Sequence, residues 1–214
     1  MYSKASAAER TYVHAKNAIL SLRYPGGELV SEGDIAADVG VSRTPVREAL
    51  LRLEAEGLVR LYPKRGALIV PVSQQEIDDV IQTRRLVEGF TAEAAASSAP
   101  ADRAALAEVL TGHLARMGEN LEPRSQAFIH ADREFHRAVV AAADNRILTG
   151  LYDSLRDRQL RMMGLGTDAV ERMRRNLAEH AAILAAIRDG APAEAATAVR
   201  VHMDHAARLL GAAR

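Results

Sequence analysis

The stretch VSRTPVREALLRLEAEGLV, residues 41–59, decides the fold of the first part of this chain. Proline is tolerated only in the first turn of an α-helix, so Pro45 places the helix start just before it, and Gly57 marks the end. The apolar stripe of this helix consists of Val46, Leu50 and Leu53. The stretch therefore predicts one amphipathic helix with a well-defined beginning.

A shorter helix precedes this one and a β-hairpin follows it. Ser31 with Asp34 three residues later is typical of a capping box, and Gly40 closes the short helix that it opens. Two helices joined by so short a turn form a helix-turn-helix. The β-prone runs LVRLY and ALIVPV are joined by the turn PKRG at 63–66, which adds a wing. The sequence predicts a winged helix.

Polar and basic side chains occupy the first turn of the second helix, away from its apolar stripe. The candidates for DNA contact there are Ser42, Arg43, Thr44 and Arg47, and the wing tip adds Lys64 and Arg65. Residues 40–66 hold six basic and three acidic side chains, although the whole chain has a net charge of zero. A recognition helix presents such positions to phosphates and base edges. The alternative is an ordinary solvated helix face.

From Ser73 onward the sequence becomes alanine-rich and helical, almost without β-branched runs. We predict a winged helix-turn-helix DNA-binding domain at 1–72 and an all-helical effector-binding domain at 73–214. The six predicted helices span 74–98, 102–120, 125–143, 145–163, 168–189 and 192–211. Short connections imply an antiparallel bundle, so the predicted fold class is mainly α.

Helical phase turns six polar residues of the second half toward the bundle interior. They are Arg84, Glu88, Asp132, His136, His180 and His202. Taken singly, a histidine on an apolar face is usually a core residue with one hydrogen bond, and such an arginine often extends its head to water. Taken together, Asp132 and His136, one helical turn apart, can share a metal ion with two imidazoles from neighbouring helices.

The donor set restricts the metal and suggests a ligand. Without cysteine in the chain, nitrogen and oxygen donors remain, which suit Zn, Ni, Fe, Mn or Co. Arg84, permanently charged, is the natural clamp for a carboxylate effector, and Glu88 is expected to pair with it. His205 lies about 60° from His202 around the helix and competes for the last ligand position.

The first half resembles the DNA-binding domain of GntR-type bacterial transcriptional regulators from about Tyr12 to Val72, through VSRTPVREALLRLEAEGLV and P-x-R-G. The resemblance implies that Ser42, Arg43, Thr44 and Arg47 correspond to DNA-contacting positions. It also implies that Gly66 at the wing tip approaches the minor groove. One departure follows Glu32, where the family often has an arginine that contacts DNA and this chain has Gly33.

The second half resembles the ligand-binding domain of the FadR subfamily of these regulators. The resemblance rests on R-x-x-x-E at 84–88, D-x-x-x-H at 132–136, and two histidines 22 residues apart. It implies that a divalent metal is held by Asp132, His136, His180 and His202, with small carboxylates binding beside it. Asn176, one turn before His180, is a further candidate to line that cavity, with Arg84 and Glu88.

The expected function is that of a transcriptional regulator, most often a repressor, that binds a palindromic operator as a homodimer and responds to a small organic acid. Two alternatives keep the metal but change its use: a metal-dependent hydrolase or oxygenase, or a purely structural clamp. No general base accompanies the ligands, so we expect no enzyme. The charged N-terminus and the lack of a long apolar run predict a soluble, cytoplasmic protein without a membrane partner.

Overall fold

The computed structural model describes residues 6–123, 125–166 and 169–212. The chain divides into two compact units, Met1–Val72 and Ser73–Arg214. The first unit contains α1 Ala7–Leu20, β1 Leu29–Val30, α2 Glu32–Val39, α3 Arg43–Ala55, β2 Val59–Tyr62 and β3 Gly66–Ile69. Helices followed by a small sheet confirm the winged-helix prediction.

Local signals fix the ends of α2 and α3. The Ser31 hydroxyl accepts a hydrogen bond from the Asp34 amide at 3.1 Å and donates one to its carboxylate at 2.7 Å. Gly40 then ends α2 in the left-handed region, with φ 70°, where a side chain would be strained. Ser42 is the N-cap of α3, so Pro45 falls in the first turn.

The wing is an antiparallel sheet with the strand order β1-β3-β2. The predicted hairpin pairs Val59 with Ile69 and Tyr62 with Gly66. The sequence did not indicate β1, which pairs Leu29 with Leu68. Two residues are too few to show the alternation by which a strand is recognised. One core joins the sheet to the helices, and it includes Ile19, Ile35, Val46, Leu50, Leu53, Val59 and Ile69.

The second unit is helical throughout the part of it that the structure describes. Its helices are α4 Gln74–Ala96, α5 Pro100–Gly118, α6 Gln126–Ala141, α7 Arg146–Ser154, α8 Arg156–Gly166, α9 Val170–Arg188 and α10 Pro192–Ala212. Helix α4 packs on α10 and α6, α5 packs on α6 and α9, and α9 packs on α10. This arrangement brings polar side chains of α4, α6, α9 and α10 together. Among the described residues, none of the helices is long and apolar enough to cross a membrane.

The prediction of one helix over 145–163 is wrong, and the described unit has seven helices instead of six. The chain breaks at Leu155, where no glycine or proline signals it. Tertiary hydrogen bonds hold the end of α7. Arg137 of α6 donates to the Asp153 carboxylate at 2.8 and 3.0 Å, and Arg133 donates to it at 3.1 Å.

Candidate metal centre and DNA-reading surface

The first turn of α3 is exposed on one side and buried on the other. All four predicted contact residues, Ser42, Arg43, Thr44 and Arg47, are exposed. Val46 and Leu53 of the same helix are fully buried, which holds the helix in place. The Ser42 side chain makes no capping hydrogen bond to the helix. Polar donors therefore face outward from a rigid support, as phosphate and base contacts require.

The backbone at position 66 of the wing tip has a conformation that glycine adopts without strain. Gly66 has φ 117°, and a Cβ atom there would lie 2.4 Å from the carbonyl oxygen of Val30. Real atoms do not approach so closely, so the fold itself requires this glycine. Arg65 beside it is exposed.

The space beside Gly33 lies near the side chain of Arg43. A Cβ atom at Gly33 would stand 4.0 Å from Nη2 of Arg43. The guanidinium of Arg43 in α3 therefore lies next to the space that a side chain at position 33 would occupy.

Three buried histidines of the second unit come together from three helices. His136 of α6, His180 of α9 and His202 of α10 each offer a ligand atom within 4.8 Å of the others. Nε2 of His136 and Nε2 of His180 lie 2.9 Å apart. His205, in contrast, has a side chain that is 32 % exposed and stands outside this group. Of the two histidines of α10, His202 is therefore better placed than His205 to bind a metal ion with His136 and His180.

Each Nδ1 atom of the three imidazoles lies within 2.8 Å of an oxygen of the protein. Nδ1 of His136 lies 2.6 Å from Oε2 of Glu88, and Nδ1 of His180 bonds the carbonyl oxygen of Asn176 at 2.7 Å. Nδ1 of His202 bonds Glu179 at 2.8 Å. Such partners orient metal-binding imidazoles and leave Nε2 for the ion.

Asp132 lies beside two of these imidazoles, although it is not one of the three residues whose ligand atoms all lie within 4.8 Å of one another. Its side chain is buried, with Oδ1 3.3 Å from Nε2 of His180 and Oδ2 3.9 Å from Nε2 of His136. No hydrogen bond from a described residue reaches Oδ1. A buried carboxylate oxygen needs such a bond or a cation. Three imidazoles and this oxygen form a donor set that fits a divalent transition metal.

The protonation states suit ligation. Burial, with the neighbouring His202 and His136, holds the pKa of His180 well below its usual range. Burial also lowers the pKa of His202, although Glu179 opposes this. Neutral imidazoles are the form that binds metal ions. The pKa of Glu88 falls to about 2, because Arg84 and His136 outweigh the effect of burial.

Arg84 and Glu88 form the buried ion pair that the sequence suggested. Nε of Arg84 donates to Oε1 of Glu88 at 2.6 Å. Arg84 also lines a cavity beside the cluster, as do Asn176, Asp132 and His202. Glu88 is not among the described residues that line the cavity, so its predicted contact with an effector stays a prediction. It stands behind Arg84 and His136 and positions both.

Four polar residues of the cavity lining were absent from our sequence-based predictions, namely Gln159, Arg172, Arg175 and Glu179. Glu179 accepts hydrogen bonds from both His202 and His205. Gln159 of α8 lines the cavity with its side chain almost fully buried. Glu179 directly precedes the predicted ligand His180, which was a usable signal. Gln159 lay in the helix whose extent we misjudged.

Comparison with protein families identifies the chain. Residues 7–69 match the family of bacterial regulatory proteins called gntR, and residues 79–205 match the FCD domain. The chain belongs to the GntR family. Its FCD domain makes it a regulator of the FadR type, as the sequence resemblance implied. It is therefore a transcription regulator and not an enzyme.

Relatives of this GntR protein support the assignment. An uncharacterised HTH-type transcriptional regulator of Agrobacterium vitis is 33 % identical over 142 residues, 66 % of this chain and 83 % of the relative. The gluconate operon transcriptional repressor of Bacillus subtilis (strain 168) is 30 % identical over 155 residues, 72 % of this chain and 62 % of the relative.

A solved structure shows the same fold. A chain from Rhodococcus sp. RHA1, described as a GntR transcriptional regulator, aligns with a TM-score of 0.74 at 24 % identity, over 98 % of this chain and 100 % of that one. At this identity the likeness concerns the fold alone. FCD domains are known to bind metal ions, and this one brings three histidines together.

Proposed function

We propose that this GntR protein is a repressor that binds a palindromic operator as a homodimer and is controlled by a small carboxylate bound beside a divalent metal in its FCD domain. The relative from Bacillus subtilis is named a repressor, which supports this direction of control. A regulator of bacterial operons acts on chromosomal DNA, so we place the protein in the cytoplasm. The metal is one of Zn, Ni, Fe, Mn or Co.

One observation carries the proposal for the metal and effector. Oδ1 of Asp132 is buried without a hydrogen bond from the described residues, beside three imidazoles whose Nδ1 atoms each lie within 2.8 Å of a protein oxygen. When bound, a metal ion would neutralise Asp132 and offer positive charge to an anionic ligand. Asp132, His136, His180 and His202 would hold it.

Arg84 supports a carboxylate as the ligand. It lines the cavity together with the metal-ligand candidates Asp132 and His202. Its charge is kept by Glu88, which raises the pKa of the guanidinium against the effect of burial. An arginine held in this way offers paired donors to a carboxylate. Because Glu88 already neutralises it, the metal supplies the remaining attraction.

The DNA-binding part of the proposal rests on the exposed first turn of α3 and on the wing. The exposed side chains there that can donate hydrogen bonds are Ser42, Arg43, Thr44, Arg47 and Arg65. We propose that they contact phosphates and base edges in the major groove. Gly66 approaches the minor groove with the wing tip.

A second copy of the chain is needed because one winged helix reads only a half-site. Leu86 and Phe90, one turn apart on α4, are 71 % and 59 % exposed. Large apolar side chains exposed together mark contact surfaces. We assign this face of α4 to the contact between the two copies.

Operator binding tests the whole proposal. An operator is first selected from random DNA, and its affinity is then measured by fluorescence anisotropy with metal-loaded and chelator-treated protein in the presence of a panel of carboxylates. We expect at least one acid to release DNA from the metal-loaded protein only. If no acid changes either the DNA affinity or the melting temperature, the metal is a structural clamp and the effector proposal fails.

Metal content tests the ligand set. His180→Ala should lower the bound metal measured by elemental analysis, because His180 is one of the three grouped imidazoles. His130→Ala is the matched control, since His130 is an exposed histidine of α6. Full occupancy in His180→Ala would remove His180 from the site.

A further inference from the structure

Two buried polar atoms in the cavity beside the three histidines lack hydrogen-bond partners among the described residues. Nε2 of Gln159 and Oδ1 of Asn176 are buried and receive or donate no hydrogen bond among the described residues. Both residues line the cavity, and only 2 % of Gln159 is exposed. Buried amide groups are nearly always hydrogen-bonded, so these two indicate a ligand that supplies the bonds.

We propose that the effector is a hydroxy acid, a carboxylic acid with one or two hydroxyl groups on an otherwise apolar chain of a few carbons. The inference rests on the proposed function, because it concerns the ligand of the same site. A hydroxyl both donates and accepts hydrogen bonds. It therefore serves the donor of Gln159 and the acceptor of Asn176, and it serves either orientation of each side-chain amide.

The other polar groups of the cavity are already engaged or are suited to the acid group. Glu179 is held by His202 and His205. Arg84, Arg172 and Arg175 also line the cavity and are suited to the carboxylate, and Asp132 is suited to the metal. Gln159 and Asn176 are left to recognise something other than the carboxylate. A simple fatty acid would leave both amides unpaired.

Buried apolar side chains form much of the remaining wall. Val80, Ile81, Phe128, Met162 and Met173 line the cavity, and each is at most 3 % exposed. An alkyl chain gains free energy against such a surface. A sugar acid would place several hydroxyls there without partners, and each would lose its hydrogen bonds to water. The wall therefore selects against a polyhydroxylated acid.

Six-carbon acids that differ only in their hydroxyl groups test the proposal. Hexanoate, 2-hydroxyhexanoate, 3-hydroxyhexanoate and gluconate are titrated into the metal-loaded full chain by isothermal calorimetry. We expect one hydroxyhexanoate to bind about tenfold or more tightly than both hexanoate and gluconate, because a site built for a hydroxyl rejects the analogue without it.

Gln159→Leu should reduce the preference for that hydroxyhexanoate over hexanoate to about threefold or less, since the amide is gone and the side-chain size is kept. Asn176→Leu gives a second, independent variant. Gln82→Leu is the control, because Gln82 is an exposed glutamine of α4 outside the cavity lining. Its preference should equal that of the unchanged chain.

The outcomes separate this inference from the proposed function. Tightest binding by gluconate, equal binding of hexanoate and every hydroxyhexanoate, or a preference unchanged in both leucine variants overturns the hydroxy acid while a carboxylate site stands. If none of the four acids binds the metal-loaded chain, the carboxylate site itself is wrong, and the inference falls with it.

Discussion

Oε2 of Glu88 lies 2.6 Å from Nδ1 of His136, while Oε1 of the same carboxylate accepts a hydrogen bond from Arg84. One buried carboxylate thus orients a metal-ligand candidate and neutralises the arginine of the cavity wall. Both tasks depend on its negative charge, which the low pKa of Glu88 maintains.

Replacing Glu88 should weaken metal binding although Glu88 is not a ligand. Glu88→Gln removes the charge behind His136, and the loss of such a partner typically lowers metal affinity about 10- to 100-fold. Competition with a coloured chelator measures the affinity. Glu93→Gln serves as control, since Glu93 is exposed on the same helix. Equal affinities for the two variants would show that Glu88 has no part in orienting His136.

Arg47→Ala should weaken operator binding by about 1–3 kcal/mol and leave the melting temperature unchanged. Arg47 is exposed on the first turn of α3, and its contact with Glu32, at 3.5 Å, is weak. Arg174→Ala removes the same charge from an exposed position on α9. If both variants bind the operator equally well, Arg47 is not part of the DNA interface.

Gly66→Ala should destabilise the wing itself, even when no DNA is present. We expect the free energy of unfolding to fall by roughly 2 kcal/mol or more, because φ is positive at this position and the new Cβ would lie too close to Val30. Thermal unfolding of the full chain measures it. Gly27→Ala isolates the backbone cost, because Gly27 has φ 89° and no atom near its Cβ position. Normal melting with weak DNA binding would instead assign Gly66 to the DNA interface alone.

Charging the exposed face of α4 should separate the two copies. Leu86→Glu combined with Phe90→Glu places like charges opposite each other across a two-fold contact, which disfavours association. Light scattering should give the mass of one chain for this variant and of two chains for the unchanged protein. Val109→Glu, at an apolar position on α5 that is 50 % exposed, should stay dimeric. A dimeric double variant refutes the surface.

Asp153→Asn should destabilise the helical unit at neutral pH and not in acid. Hydrogen bonds from Arg137 hold the pKa of Asp153 below its usual range. A carboxyl with a lowered pKa stabilises the fold above its unfolded pKa, about 3.9, and loses that contribution as the pH falls through the folded value. The side chain is 38 % exposed, so we expect only roughly 1 kcal/mol.

Thermal unfolding of chelator-treated protein between pH 7 and pH 3 measures this difference. Asp78→Asn, at an exposed position on α4, gives the control curve. If the melting temperatures of Asp153→Asn and the unchanged chain still differ at pH 3, the effect comes from packing and not from charge.

The sequence was informative wherever a signal is local. The cap at Ser31, the glycine at Gly40 and the proline at Pro45 each act within one turn, and the structure has the elements that they predicted. The histidines could be grouped because helical phase is a local property too. His136, His180 and His202 all point inward once their helices are assigned.

What the sequence did not show depends on contacts between distant residues. Glu179 meets His202 and His205 only because α9 packs on α10. Arg137 of α6 bonds Asp153 close to the break at Leu155, and β1 pairs with β3. Neither feature has a periodic pattern of its own.

Glu179 links the three-histidine group to the cavity. It bonds His202, a metal-ligand candidate, and also His205, which lines the cavity. A molecule that engages His205 shares this carboxylate with the metal site, and coupling between two bound species is reciprocal by thermodynamic necessity. If a metal ion and an effector both bind as we propose, the affinity for each would therefore depend on whether the other is bound.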